Sequence, residues 1–172
     1  MLTAYRSLNM FRLLMVFILL GALSGCYRFN GFSVDPEITT FRIVQFRSAA
    51  PNAPPNIGQT FTESLKRKIA RESRLVLNEN DPDIQFDGVV SRYNVRAVSP
   101  EPGEFAALQR LEITVNVEYT NFMDEEDTWN KPFSFFADFS PETNLLDVQD
   151  DLINTIFDQI QEDLFNDAFT DW

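Results

Sequence analysis

Leu111-Glu112-Ile113-Thr114-Val115-Asn116-Val117-Glu118-Tyr119-Thr120 alternates apolar and polar side chains without a break, and its reading decides the fold. Successive side chains of a strand point to opposite faces, so this alternation describes a strand with one dry face and one wet one. Downstream, Asp124-Glu125-Glu126-Asp127 reads as a hairpin tip whose acids are solvated rather than metal-binding. The return strand places Trp129, Phe133, Phe135, Ala137 and Phe139 on one parity, with Asn130, Ser134 and Asp138 opposite. Upstream, a strand from Ile84 has Ile84, Phe86 and Gly88 on one parity but Val89, Tyr93 and Val95 on the other. The switch near Val89-Val90 predicts a bulge or a segment buried on both sides. Two prolines between Ser99 and Gly103 end that strand.

Two helices flank these strands. Asn56-Ile57-Gly58-Gln59 resembles a capping box, and Phe61, Leu65 and Ile69 follow on one helical face, with Glu63 set to pair with Arg67. Lys66, Arg67, Lys68, Arg71 and Arg74 complement the negative end of that helix. Asn144 and Asp147 resemble a second cap. Beyond them an apolar stripe runs from Leu145 through Leu152, Ile156, Ile160 and Leu164 to Phe169, the bland reading of which is packing on the sheet. Glu162, Asp163 and Asp167 oppose the dipole of this last helix, which implies exposure or a basic partner. Ile38 to Arg47 reads as a first strand, and Ser48 to Asn56, with prolines at 51, 54 and 55, as irregular chain. Asn78 to Asp83 is a turn cluster without the glycine and distal glutamate of a calcium loop.

The expected architecture is therefore α+β: a two-layer sandwich of a mainly antiparallel four-stranded sheet with two amphipathic helices on one face, in the order β-α-β-β-β-α. Residues 38–172 form one domain in this reading.

The N-terminus carries a different signal. Arg6 and Arg12 precede an apolar run, Leu13 to Leu23, that is well short of the ~20 residues a membrane-spanning helix needs. Met10-Phe11-Arg12 followed by the same run would serve as a shorter version, so the start is open between Met1 and Met10. Leu23-Ser24-Gly25-Cys26 at its end resembles the lipobox of bacterial lipoproteins. That resemblance implies removal of residues 1–25 as a signal peptide, acylation of Cys26, and a lipidated tether over 26–37. Two or more acyl chains make membrane attachment stable where one is marginal. Tyr27 follows the cysteine, whereas an aspartate there would resemble an inner-membrane retention signal. The expected location is the periplasmic face of the outer membrane.

Composition narrows the chemistry. Cys26 is the sole cysteine and histidine is absent, so no disulfide within the chain is possible and Ser-His-Asp, Cys-His and the usual zinc arrangements are excluded. After the signal is removed, 12 bases face 26 acids, a formal charge of −14 that repels polyanions on average, nucleic acid and phosphate-bearing glycolipid alike, unless a local basic patch offsets it. No cofactor or metal site is indicated. Seventeen phenylalanines read as core and interface material.

The chain is similar to the lipopolysaccharide-assembly lipoproteins of the LptE family, in the form found in Bacteroidetes-type bacteria. Phe61-Thr62-Glu63-Ser64-Leu65, Leu108 to Val115, Tyr119-Thr120-Asn121 and the ending Phe165-Asn166-Asp167-Ala168-Phe169-Thr170-Asp171-Trp172 carry the similarity. It implies a non-enzymatic plug and assembly partner inside an LptD-like outer-membrane β-barrel that delivers lipopolysaccharide to the outer leaflet. The wet face bearing Glu112, Thr114, Asn116, Glu118 and Thr120 suits a polar barrel interior. Direct lipopolysaccharide contact is a further expectation, for which Arg92, Arg96 and Arg110 are the candidates, since guanidinium matches phosphate. The plainer reading makes them scattered charges that balance nearby acids. Two alternatives stay open: a lipid-anchored envelope module whose phenylalanines line a cavity for a hydrophobic ligand or that binds another envelope protein, and a hydrolase built on paired carboxylates. No spacing singles out such a carboxylate pair.

Overall fold

The alternating stretch lies within β5 (Leu108–Asn121), the centre of an antiparallel meander. Its neighbours are β4 (Ile84–Val98) and β6 (Trp129–Phe139). Leu111, Ile113, Val115, Val117 and Tyr119 are all fully buried, as their parity requires. The computed structural model describes residues 35–99 and 107–169. The lipobox and Cys26 lie outside them, as does most of the tether.

The sheet is mixed and six-stranded, not mainly antiparallel and four-stranded. Its order is β3-β1-β4-β5-β6, with β1 (Thr40–Ile43), β2 (Arg47–Ser48) and β3 (Val76–Leu77); β2 also pairs with β4. β1 and β2 run parallel to β4, and β3 runs parallel to β1. The cause lies in the connection. Parallel neighbours need a crossover, and the helix α1 (Ile57–Glu72) between β2 and β3 supplies it. The element order is thus β-β-α-β-β-β-β-α, closing with α2 (Leu145–Phe169).

The expected first strand is broken in two by a bulge. Ile43 pairs with Phe86 but Arg47 with Val89, so the β1–β2 segment holds one residue more than β4 between the same two pairs. The extra residue turns Phe46 into the core against Phe61 of α1, with ring centroids 4.8 Å apart. The buried Thr62 hydroxyl fixes this break: it accepts from the Phe46 N–H at 2.9 Å and donates to the Gly58 carbonyl at 2.8 Å. Gly58 lies so close that a Cβ there would sit 2.2 Å from the Phe46 carbonyl oxygen, which is why the helix begins on a glycine-containing turn. In β4 the expected bulge occurs one residue beyond the parity switch, between Val90 and Arg92. It moves the inward side chains from Ile84, Phe86 and Val90 to Tyr93.

Both helices cover the same face of the sheet. Phe61, Leu65 and Ile69 of α1 and Ile156, Ile160, Leu164 and Phe165 of α2 are fully buried. Aromatic contacts run within and between the layers: Phe61 meets Phe157 edge-on at 4.9 Å across the helices, Phe86 meets Tyr119 and Tyr119 stacks on Trp129, both at 5.2 Å, across the strands, and Phe86 meets Phe169 at 6.2 Å between sheet and helix. The expected Asn56 capping box does not form, since the Asn56 side chain makes no cap bond. The turn Pro54-Asn56 holds the start instead, through Ile57 N–H to the Pro54 carbonyl and Thr60 N–H to the Asn56 carbonyl. Asn144 does cap α2, its side chain accepting from the Leu146 N–H at 3.1 Å.

Two of the three acids that oppose the α2 dipole find basic partners inside the chain, while Asp163 accepts from the Gln159 side-chain amide at 3.0 Å. Glu162 pairs with Lys68 of α1 at 2.6 Å, and Asp167 pairs with Lys131 of β6 at 2.8 Å. Lys68 is engaged also by Glu72, so the ion pairs within α1 are Lys68–Glu72 and Arg71–Glu72 rather than Glu63–Arg67. Burial alone would lower the Lys68 pKa, but hydrogen bonds to Glu162 and Glu72 outweigh it and hold the ammonium charged.

Candidate functional site: the open face of the sheet

The helices cover one face of the sheet, and the other is polar. Strand register fixes its layout. Across β4, β5 and β6 the rows read Arg96, Arg110, Asp138; then Asn94, Glu112, Phe136; then Arg92, Thr114, Ser134. Beyond the bulge follow Val89, Asn116, Pro132 and then Asp87, Glu118, Asn130. Arg42 of β1 extends the face beside Gln85, whose side-chain oxygen accepts from its guanidinium.

The three candidate arginines are brought together at one end of this face, each facing an acid. Arg110 makes two parallel hydrogen bonds to Asp138, both 2.7 Å, and its guanidinium carbon lies 3.6 Å from the centre of the Phe136 ring. The pair shifts both partners in the direction that keeps them charged: the bond to Arg110 holds the Asp138 carboxyl below its usual range, and the bond to Asp138 raises Arg110. Glu112 serves two cations, Arg92 at 3.0 Å and Arg96 at 3.8 Å. The arginines are therefore clustered rather than scattered, and also balanced by acids.

Glu112, Phe136 and Asp138 are members of this group that sequence reasoning did not join to the arginines. The signal existed in the hairpin, because β5 and β6 pair symmetrically about Asp124 and that register alone sets Arg110 against Asp138. Reading the tip as Asp124 to Asp127 displaces the pairing. The tip is instead a turn in which Asp124 accepts from the Glu126 N–H at 3.0 Å and the buried Asn121 side chain bonds Asp127, Met123 N–H and Asp124 N–H.

Asp87 and Glu118 stand opposite each other on adjacent strands, and with Arg47, Asn116 and Asn130 they border a shallow cleft of about 190 Å³. Two other clefts, of about 250 and 290 Å³, lie at the N-terminal end of α1. None of these three is bordered by more than one phenylalanine. Phe41, Phe46, Phe61, Phe86, Phe157 and Phe165 are close-packed core. Among the described residues no helix is long and apolar enough to cross a membrane, and no group of three or more acids, cysteines or histidines is placed to hold a metal.

No curated protein matches the chain in sequence. Solved structures do match in fold. The hypothetical protein CT253 from Chlamydia trachomatis is 9% identical with a TM-score of 0.50, covering 76% of this chain and 98% of that one. Protein XCC0632 from Xanthomonas campestris is 13% identical with a TM-score of 0.52, covering 77% and 87%. At such identities these likenesses concern the fold alone. The profile of the family described as lipopolysaccharide-assembly, LptE, matches residues 39–168, from the first strand to the last turn of α2. The chain belongs to the LptE family of lipopolysaccharide-assembly proteins.

Proposed function

We propose that this chain is an outer-membrane lipoprotein, tethered through acylated Cys26, that plugs an LptD-type barrel and assists its assembly for lipopolysaccharide transport to the outer leaflet. The family match over 39–168 carries the reading, because LptE proteins work with LptD in lipopolysaccharide transport. The role is non-enzymatic. The open face supports it: a water-lined barrel interior demands a polar surface, and rows of Thr, Asn, Arg, Asp and Glu provide one. On this reading Arg92, Arg96 and Arg110 contact lipopolysaccharide phosphates.

Affinity capture of the tagged chain from detergent-solubilised outer membrane tests the partner. A large barrel protein recovered in stable stoichiometry is expected; recovery of the chain alone, or with soluble proteins only, would sink the reading. Intact mass tests the anchor, which requires loss of residues 1–25 and acyl mass on Cys26. Alanine at all three arginines should weaken lipopolysaccharide binding, and unchanged binding would remove them from the site.

A further inference from the structure

We infer that Glu112 is an internal occupant of the arginine cluster, and that a phosphate group binds there by displacing its carboxylate from Arg92 and Arg96. The inference rests on the proposed phosphate contact and adds its selectivity. Arg96 and Arg110 stand directly opposite on neighbouring strands, an arrangement that costs stability unless anions separate the charges. Asp138 engages Arg110 through both of its oxygens. What remains for Arg92 and Arg96 as an ion-pair partner is one shared carboxylate, reached by Arg96 only at 3.8 Å and through Nε, while Asp138 acts on Arg96 from beyond contact. Three guanidinium groups thus face two carboxylates in a chain of formal charge −12.

Accessibility favours exchange. The Arg92 and Arg96 side chains are 62% and 51% exposed, whereas Glu112 is 22% exposed, so an incoming anion reaches both guanidiniums from the solvent side without unfolding anything. A carboxylate brings one charge and two oxygens, as Glu112 already does. A phosphate monoester brings up to two charges and three acceptor oxygens, enough to bridge both arginines. Glu112 therefore sets a threshold that phosphate passes and carboxylate does not.

Calorimetric titration of the lipidated protein in detergent micelles, with bisphosphorylated lipid A as the ligand, tests this. Removing the competitor with Glu112→Gln should tighten binding about two- to fivefold, the range a surface ion pair is worth. Arg96→Ala should abolish that gain, and dephosphorylated lipid A should not distinguish Glu112→Gln from the natural chain. Inorganic phosphate tightened by the same factor would identify free phosphate as sufficient; tightening confined to lipid A would identify the headgroup, and either supports the exchange. If Glu112→Gln lowers the melting temperature, Asp138→Asn, which releases Arg110, should tighten binding in its place. Equal or weaker binding by a folded Glu112→Gln protein, or no phosphate-dependent binding by any form, overturns the inference. Barrel capture by those same variants separates that failure from failure of the proposed function.

Discussion

Two buried hydroxyls show how one functional group takes opposite signs. The Thr62 hydroxyl is 2% exposed as a residue and saturated, accepting from Phe46 N–H and donating to the Gly58 carbonyl. Thr62→Val keeps the shape but strands the Phe46 N–H in the core, which costs about 1–3 kcal/mol and should appear as an equal loss in urea denaturation. The Tyr93 hydroxyl is buried with no hydrogen-bond partner among the described residues. Burial first, and the Asp150 carboxylate second, raise its pKa and keep the proton in place. Tyr93→Phe removes a desolvated group that gains nothing, so it should be neutral or stabilising by up to about 1 kcal/mol in the same assay. If Tyr93→Phe proved as costly as Thr62→Val, a bridging water would have to be serving that hydroxyl.

Between elements, polar groups decide how the short parallel strands attach. Asp83, just before β4, accepts from Thr39 N–H, Thr40 N–H and the Thr39 hydroxyl, all within 2.9 Å, and so pins β1 against β4. The Thr39 N–H is the chief cause of a pKa below the ordinary aspartate value of 3.8. A carboxyl whose folded pKa is depressed contributes stability above its unfolded pKa and loses it as pH falls through the folded one. Asp83→Asn should therefore lower stability at neutral pH and flatten its decline towards about pH 3, as followed by denaturation at several pH values. On the open face, Asp87 opposes Glu118 without a cation in ion-pairing range among the described residues. Glu118→Lys should convert a like-charge pair into an attractive one, raising stability by about 0.2–1 kcal/mol, and a loss would show that Arg47 or solvent already screens the acids. These pairings also mark what the sequence conceals. β5, the hairpin and both helices are legible because ten or more residues repeat one period. β2 and β3 have two residues each, too few for any period, and are strands only because β4 and β1 offer free edges. The arginines were legible as charges, but their meeting with Glu112 and Asp138 depends on a register set by the turn around Asp124.

Across the described residues the two layers divide the work: helices and sheet bury most of the phenylalanines between them, and the other face of the sheet presents mainly charge and hydroxyl, with Phe136 under Arg110, to whatever the protein docks against. This division predicts an order of local stability. β5 is paired along both edges, over fourteen residues with β4 and eleven with β6, and its inward side chains are sealed by the helix layer. Opening it requires breaking the largest part of the sheet at once, so its amides should exchange with solvent only through global unfolding. Among the described residues β6 has no outer neighbour in the sheet, and Pro132 within it has no N–H to offer, which blunts that edge against pairing with other strands. Its amides should exchange faster than those of β5. β3 is the opposite extreme, two residues on the outer edge with Val76 and Leu77 both exposed, held by Val76 N–H to the Thr39 carbonyl and Asn78 N–H to the Phe41 carbonyl. Native-state hydrogen exchange should therefore rank β5 slowest, β6 next and β3 fastest. Capture by the barrel should add protection selectively to the open-face strands if that face is the one engaged, with α2 amides unchanged; protection confined to α2 would place the partner on the helix side instead.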